Sequence, residues 1–319
     1  SAVAIQPSTG KILAMASNPG YNPNDLMGDS AEDVWANLQE QEGQPLVNHA
    51  GAETLPPGSI FKIITTAAGL NNGFDPSSTL TGSNVITLPD TVTELTNYAN
   101  QKCNGQDAVT LQTAFALSCN TAFVEMSEQL GADELRKYAK AFGVGENYDL
   151  GVSTSAGTLG DLPDGAATAQ SAIGQRDVTM TALQAAVMAG TVANKGTRMQ
   201  PYLVNRITDA QMKDVRTTKP KKADQAVNEE TAATLTDLMY ASERSSWGYD
   251  GNGFASKTGT AEHGEGLAPH VWYVAFDPER DIAVGVVVKN GGNLGESATG
   301  GKVSGPIGRA ILRAYQGEQ

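Results

Sequence analysis

Apolar and polar positions divide the chain into strand-like ends and a helix-like middle. Ala2-Val3-Ala4-Ile5 and Ile12-Leu13-Ala14-Met15-Ala16 flank Pro7-Ser8-Thr9-Gly10, which is turn chemistry, so the chain is expected to open on a β-hairpin. From about residue 30 to 245 the pattern is mostly helical. After Ser59, the residues Ile60, Phe61, Ile63, Ile64, Ala67, Ala68 and Leu70 cover most faces of a helix, as in a segment at the centre of a core. Its β-branched run at 63–66 leaves a strand as the local alternative, while Gly58 before it and Asn72-Gly73 after it favour helix. Further helices are predicted over 111–130 and 132–142, split at Gly131, then over 181–194 and 229–243. Strands return at 253–260, 271–276 and 282–289, the last two joined by a turn at Asp277-Pro278-Glu279-Arg280-Asp281. Ser304-Gly305-Pro306 predicts a final helix with serine as its cap and proline in its first turn.

These elements predict an α+β fold. One five-stranded antiparallel sheet is formed by both chain ends and flanked by helices, and a large, mainly helical insertion separates the two ends. Residues 1–319 are read as a single domain, with an α/β lobe at approximately 1–30 and 245–319 and a helical lobe at approximately 31–244. A cleft between the lobes is the default site.

Charge narrows the function. With 22 Lys and Arg against 35 Asp and Glu, the net charge is −13, which disfavours general affinity for nucleic-acid phosphates or anionic lipid. No run approaches the roughly 20 apolar residues needed to cross a bilayer. Because the chain opens inside a strand, it is expected to be a soluble portion of a longer protein. His263, Glu265 and His270 lack zinc-ligand spacing, so neither a metal nor a cofactor is expected. Trp272 and Tyr273 are read as sheet packing. Cys103 and Cys119 can be two buried thiols or one disulfide, and a bridge would contribute about 3 kcal/mol in the chain-entropy model.

Three short motifs carry the candidate chemistry. Ser59 and Lys62 lie three apart, on one side of a helix, where the amine can act as base for the hydroxyl. A protonated lysine cannot serve, but burial and a neighbouring cation such as Lys257 would lower its pKa. Alone this motif is weak, since about one Ser-x-x-Lys arises by chance in a chain of this length. Ser118-Cys119-Asn120 is weaker still and reads equally well as a helix-end cap. Lys257-Thr258-Gly259-Thr260 is more specific. On a strand its threonines share one face, able to bind a carboxylate, and Gly259 admits close approach of a backbone or ligand.

In this order the three motifs resemble the transpeptidase domain of class B penicillin-binding proteins. The likeness extends through the Asn-rich stretch 18–26, Pro57-Gly58-Ser59-Ile60-Phe61-Lys62, Ile173-Gly174-Gln175, Ala182-Leu183-Gln184, Asn194-Lys195-Gly196 and the run from Lys257 to Glu262. The cysteine pair is most similar to an actinobacterial branch of the family. The resemblance implies a D,D-transpeptidase that cross-links peptidoglycan stem peptides through a serine acyl-enzyme and is acylated by β-lactams. It implies Ser59 as nucleophile, Lys62 as base, Ser118 as proton relay, Asn120 as holder of Lys62 and the substrate amide, and Lys257 as the group that tunes the field. Thr258, Gly259 and Thr260 would bind substrate, and the backbone N–H groups of Ser59 and Thr260 would form the oxyanion hole. It also implies a site on the extracytoplasmic face of the bacterial membrane, an N-terminal anchor, and divisome or cell-wall protein partners. A β-lactam sensor, a D,D-carboxypeptidase and a serine β-lactamase share the same motifs and stand as alternatives.

Overall fold

Both chain ends meet in one sheet. The computed structural model describes residues 1–264 and 266–315. Strands β1 (Ala2–Ile5) and β2 (Ile12–Ala16) pair with each other, and three strands come from the other end of the chain: β11 (Ala255–Ala261), β12 (His270–Asp277) and β13 (Ile282–Val288). The order is β11-β12-β13-β1-β2, antiparallel throughout, with Val3 opposite Gly285 and Lys257 opposite Val274. The five-stranded antiparallel prediction therefore holds, with β11 at an edge.

The helices are α1 (Ala31–Glu40), α2 (His49–Ala52), α3 (Lys62–Leu70), α4 (Leu111–Leu117), α5 (Asn120–Ala141), α6 (Gly165–Ala172), α7 (Ala182–Ala193), α8 (Glu229–Ser245) and α9 (Ser304–Ala314). The small, apolar α7 lies on one side of β13, while α9 packs beside β12 and β13. This explains why β13 reads as an unbroken apolar run rather than an alternating one: it is covered on both faces. Thr181 and Gln184 close a capping box at the start of α7. Helix α3 is buried along nearly its whole length, as its all-round apolar pattern predicts. Its β-branched run stays helical because packing overrides a weak local preference.

The middle of the chain departs from the expectation in two ways. It carries four two-stranded ribbons among the described residues: β3 (Thr79–Thr81) with β6 (Ala108–Thr110), β4 (Val85–Thr87) with β5 (Glu94–Thr96), β7 (Thr197–Met199) with β10 (Lys222–Gln225), and β8 (Arg206–Thr208) with β9 (Asp214–Thr217). Secondly, the segment predicted as a helix over 111–130 breaks at Ser118, which adopts φ 62° and ψ 40°, a left-handed conformation uncommon for a residue with a Cβ. The predicted break at Gly131 is present: its φ 73° and ψ 172° are not helical, so α5 is two helical segments joined at a kink. At the C-terminus, Ser304 is the first helical residue and not the cap. Its hydroxyl donates to the Val271 carbonyl at 2.7 Å, tying α9 to β12 instead of satisfying its own helix.

Gly174 is a point of enforced close approach. It holds φ at +75°, and a Cβ there would lie 2.1 Å from the Gly58 carbonyl oxygen. Its own carbonyl accepts the Gly58 N–H at 2.9 Å. Gly174→Ala is expected to lower the unfolding free energy by about 2–4 kcal/mol through left-handed strain and overpacking. Urea denaturation measures this, and an unchanged midpoint would refute the packing argument.

Candidate active site

The sequence Pro56-Pro57-Gly58 delivers Ser59 to the start of the central helix. Gly58 opens a short 3-10 turn, Gly58–Phe61, that runs directly into α3. Gly58 itself has φ +55°, a conformation available to glycine at little cost. One helical turn then puts Lys62 on the same side as Ser59. Ser59 keeps partial exposure, whereas Lys62 is fully buried.

Strand β11 crosses in front of this turn. A Cβ on Gly259 would lie 2.7 Å from the Pro57 carbonyl oxygen and 3.1 Å from Ile60 Cγ2. Gly259 therefore lets the edge strand approach the serine turn, and the close partner is backbone. The pleat buries Lys257 and Gly259 and leaves Thr258 and Thr260 partly exposed, the facing that alternation predicts. The Gly300 N–H donates to Thr260 Oγ1 at 3.4 Å.

The break between α4 and α5 supplies the third wall. Lys62 Nζ donates to the Ser118 carbonyl at 2.8 Å and to Asn120 Oδ1 at 2.8 Å, and lies 3.3 Å from Ser118 Oγ. Lys257 Nζ donates to Ser118 Oγ at 2.9 Å and to the Thr258 carbonyl at 3.1 Å. Each amine also lies over an aromatic ring, Lys62 5.1 Å from the centre of Phe123 and Lys257 5.7 Å from that of Phe115. The three motifs, separated in sequence, thus converge on one hydroxyl.

Burial depresses the basicity of both amines. Burial holds the Lys62 amine well below the usual lysine range, and the adjacent Lys257 charge lowers it further. Burial also lowers Lys257, to about 7. A neutral lysine has two N–H donors and one lone pair. The Ser118 carbonyl and Asn120 Oδ1 take the two donors, so the lone pair is left to accept a proton from a hydroxyl. Ser118 can receive a hydrogen bond from Lys257 and donate its own to Lys62, which is the geometry of a relay.

Other contacts support these side chains; of the residues making them, Asn120 and the Cys103–Cys119 pair were candidates in the sequence, whereas Thr96, Glu243 and Arg309 were not. Asn120 Nδ2 donates to the Thr96 carbonyl at 3.1 Å, so the β4–β5 ribbon reaches the middle motif. The β-branched Val85-Ile86-Thr87 followed by Pro89-Asp90 is the strand-and-turn signal that could have disclosed this ribbon. Cys103 and Cys119 are bridged, with a Cα–Cα distance of 5.7 Å, within the ordinary range for a disulfide. Behind β11, Glu243 on α8 pairs with Arg309 on α9 at 2.7 Å, with both side chains buried. Tyr273 donates its hydroxyl to the same carboxylate at 2.9 Å, and Ser256, next to Lys257, donates as well. His263 and His270 stack with ring centres 3.9 Å apart. Glu265, the third residue of that sequence cluster, lies outside the described residues.

A family model for the penicillin binding protein transpeptidase domain matches residues 1–313. The chain belongs to this family. It is 45% identical to the peptidoglycan D,D-transpeptidase PbpA of Mycolicibacterium smegmatis over 98% of this chain and 66% of that protein. It is 43% identical to PbpA of Mycobacterium tuberculosis over 99% of this chain and 67% of that protein. The chain thus spans about two thirds of the length of these relatives. Among solved structures, the ceftriaxone acyl-enzyme of penicillin-binding protein A from M. tuberculosis superposes with a TM-score of 0.95 at 42% identity, covering 99% of this chain and 73% of that one. Its penicillin G acyl-enzyme gives a TM-score of 0.93, also at 42% identity, over 98% of this chain and 73% of that one. The likeness to the actinobacterial branch suggested by the cysteine pair is borne out.

The depressed lysine pKa makes stability of this penicillin-binding domain depend on pH. Lys257 titrates at about 7 in the fold and near 10.4 in an unfolded chain. Between those values the unfolded state holds the proton and the native state does not, so this residue's penalty is full below the window and vanishes as pH rises through it. Urea unfolding of wild type and Lys257→Met at pH 7 through 10 should show wild type gaining on the variant as pH increases. A constant difference would contradict the assigned burial cost.

Proposed function

We propose that this chain is the catalytic domain of a peptidoglycan D,D-transpeptidase acting through an acyl-enzyme on Ser59. The observation that carries the proposal is the Ser118 hydroxyl shared by two buried lysines beside the Ser59 turn. Ser59 Oγ attacks the carbonyl between the two terminal D-alanines of a stem peptide, and its proton passes to Lys62. As the C–N bond breaks, that proton travels through Ser118 to the departing D-alanine amine. An amine of a second stem peptide then attacks the ester carbon. It gives up a proton to Lys62, forms the new amide, and returns Ser59 to its hydroxyl form.

Other parts of the site take supporting roles. Lys257 keeps positive potential beside the relay and disfavours a second positive charge on Lys62. Thr258 and Thr260 grip the terminal carboxylate. The N–H groups of Ser59 and Thr260 hold the developing oxyanion. Asn120 keeps one amide hydrogen on Thr96 and has a second for a substrate amide carbonyl. An extended peptide laid along the open side of β11 would add to the sheet by backbone hydrogen bonds. β-Lactams present a reactive amide and a carboxylate in a similar arrangement, so they would acylate Ser59. Penicillin-binding protein A of M. tuberculosis has been solved as acyl-enzymes with ceftriaxone and penicillin G. The greater length of the relatives is consistent with a further N-terminal region. We assign to it membrane anchorage at the extracytoplasmic face and contacts with divisome or cell-wall proteins.

Intact-protein mass after benzylpenicillin treatment should rise by one adduct, mapped to Ser59 and absent from Ser59→Ala. Lys62→Ala should slow acylation about 10²–10⁴-fold, the usual worth of a general base. A donor peptide ending in D-alanyl-D-alanine, supplied with an acceptor amine, should give a cross-linked product. Rapid continuous turnover of a chromogenic cephalosporin would instead mark a hydrolase. An adduct mapped to any other residue would remove Ser59 as nucleophile.

A further inference from the structure

Helix α5 begins at Asn120, and its cap residue Cys119 has its sulfur committed to the disulfide and makes no side-chain cap bond. The first-turn N–H groups of a helix need acceptors from elsewhere. One comes from Asn97, just past β5 and only 6% exposed. Asn97 Oδ1 accepts the Thr121 N–H at 3.1 Å. Its Nδ2 donates to the Ser83 carbonyl at 2.9 Å, the Gln101 carbonyl at 3.2 Å and Thr121 Oγ1 at 3.1 Å. Thr121 Oγ1 donates in turn to the Ser83 carbonyl at 2.8 Å.

The Asn97 backbone adds a second link. The peptide group joining Thr96 to Asn97 is planar, so its carbonyl and N–H move together. Its N–H donates to the Asn84 carbonyl at 3.1 Å, and its carbonyl accepts from Asn120 Nδ2 at 3.1 Å. An acceptor-only carbonyl on one side and the Lys62 amine on the other permit just one orientation of the Asn120 amide, with Oδ1 on Lys62.

We propose that Asn97 is a positioning residue for acylation: it caps α5 from outside the helix and aims the Thr96 carbonyl that fixes the Asn120 amide. This rests on the function proposed above and assigns a new residue to it. Loosening Asn97 would let the Asn120 amide rotate, withdrawing both the acceptor on Lys62 and the hydrogen offered to a substrate amide carbonyl.

The test compares two β-lactams. Benzylpenicillin carries an acylamido carbonyl, whereas 6-aminopenicillanic acid has a free amine in its place. Asn97→Ala should slow acylation by benzylpenicillin about 10–100-fold, the scale of a small misplacement of a positioned group. It should slow 6-aminopenicillanic acid several-fold less. In an Asn120→Ala background, Asn97→Ala should cost little further, because the two residues act as one unit. Asn97→Ser keeps a small neutral group that can accept from the Thr121 amide without placing a charge against the Ser83 and Gln101 carbonyls. It should show a smaller penalty with the same preference between probes, and it serves if the alanine variant folds poorly. Equal slowing of both probes, additive penalties, or no slowing would overturn the assignment. Wild-type acylation at Ser59 is measured separately, so failure of the catalytic reading is distinguishable from failure of this one.

Discussion

Two lysine side chains are buried against one hydroxyl, and among the described residues neither is bonded to a carboxylate. Most of the structure follows from that constraint. Two unpaired ammonium groups in so dry a place would each carry a heavy desolvation cost and would repel each other. The pair escapes by giving up protons, which is why both amines fall below the ordinary lysine range. A carboxylate beside Lys62 would favour its charged form. Polar contact is instead supplied by neutral acceptors, two carbonyls and an amide oxygen, and by the faces of Phe115 and Phe123. The pair Glu243–Arg309 sits behind β11, where it ties α8 and α9 to β11 through Ser256 and to β12 through Tyr273.

Such a site must be assembled from pieces that do not move independently. Lys62 is carried by a buried helix and Lys257 by a strand paired along its length with β12. Ser118 is the exposed risk, since it sits in a left-handed conformation between two helices. A disulfide on the next residue and the ribbon contacts of Thr96 and Asn97 hold that turn from outside. Local strain at Ser118 is thus offset by tertiary contacts, and the result is a hydroxyl aimed between two amines.

Legibility in the sequence followed the range of the interactions. The sheet was readable because β1, β2, β12 and β13 carry their own apolar patterns, and Pro7-Ser8-Thr9-Gly10 and the Asp277–Asp281 turn announce two of the connections. The long helices α7 and α8 were readable for the same reason. Two things were not. The break at Ser118 has no glycine or proline to mark it, so the apolar period ran through it and the helix-end alternative for Ser118-Cys119-Asn120 was its one sign. The ribbons are three or four residues per strand, too short to show a period, and two of them pair strands across intervening segments. Of the site, the residue types and their order were visible. The Asn120 acceptor was visible through its motif, but the Ser118 and Thr258 carbonyls and the supporting Asn97 were not, because they carry no motif. Ser304 shows the same limit: a serine before Gly-Pro reads as a cap, yet its hydroxyl is claimed by a distant strand.

The position of β11 resolves a tension in the design of the sheet. An edge strand with free backbone groups invites pairing with other chains. For a peptide-binding enzyme that openness is the useful property, because an extended ligand can complete the ladder. Native edges are often guarded by an inward-pointing charged residue, which an incoming hydrophobic strand cannot accommodate. Lys257 offers a titratable amine in that position, buried from the edge strand toward Ser118. The side chain that tunes Lys62 therefore also marks the edge as unsuited to indiscriminate pairing. On the proposed reading, a ligand on this edge meets the partly exposed Thr258 and Thr260, with the Lys257 amine beneath them. Reactivity and selectivity at this edge then have one physical origin, the placement of a titratable amine where a β-sheet would ordinarily place an apolar side chain.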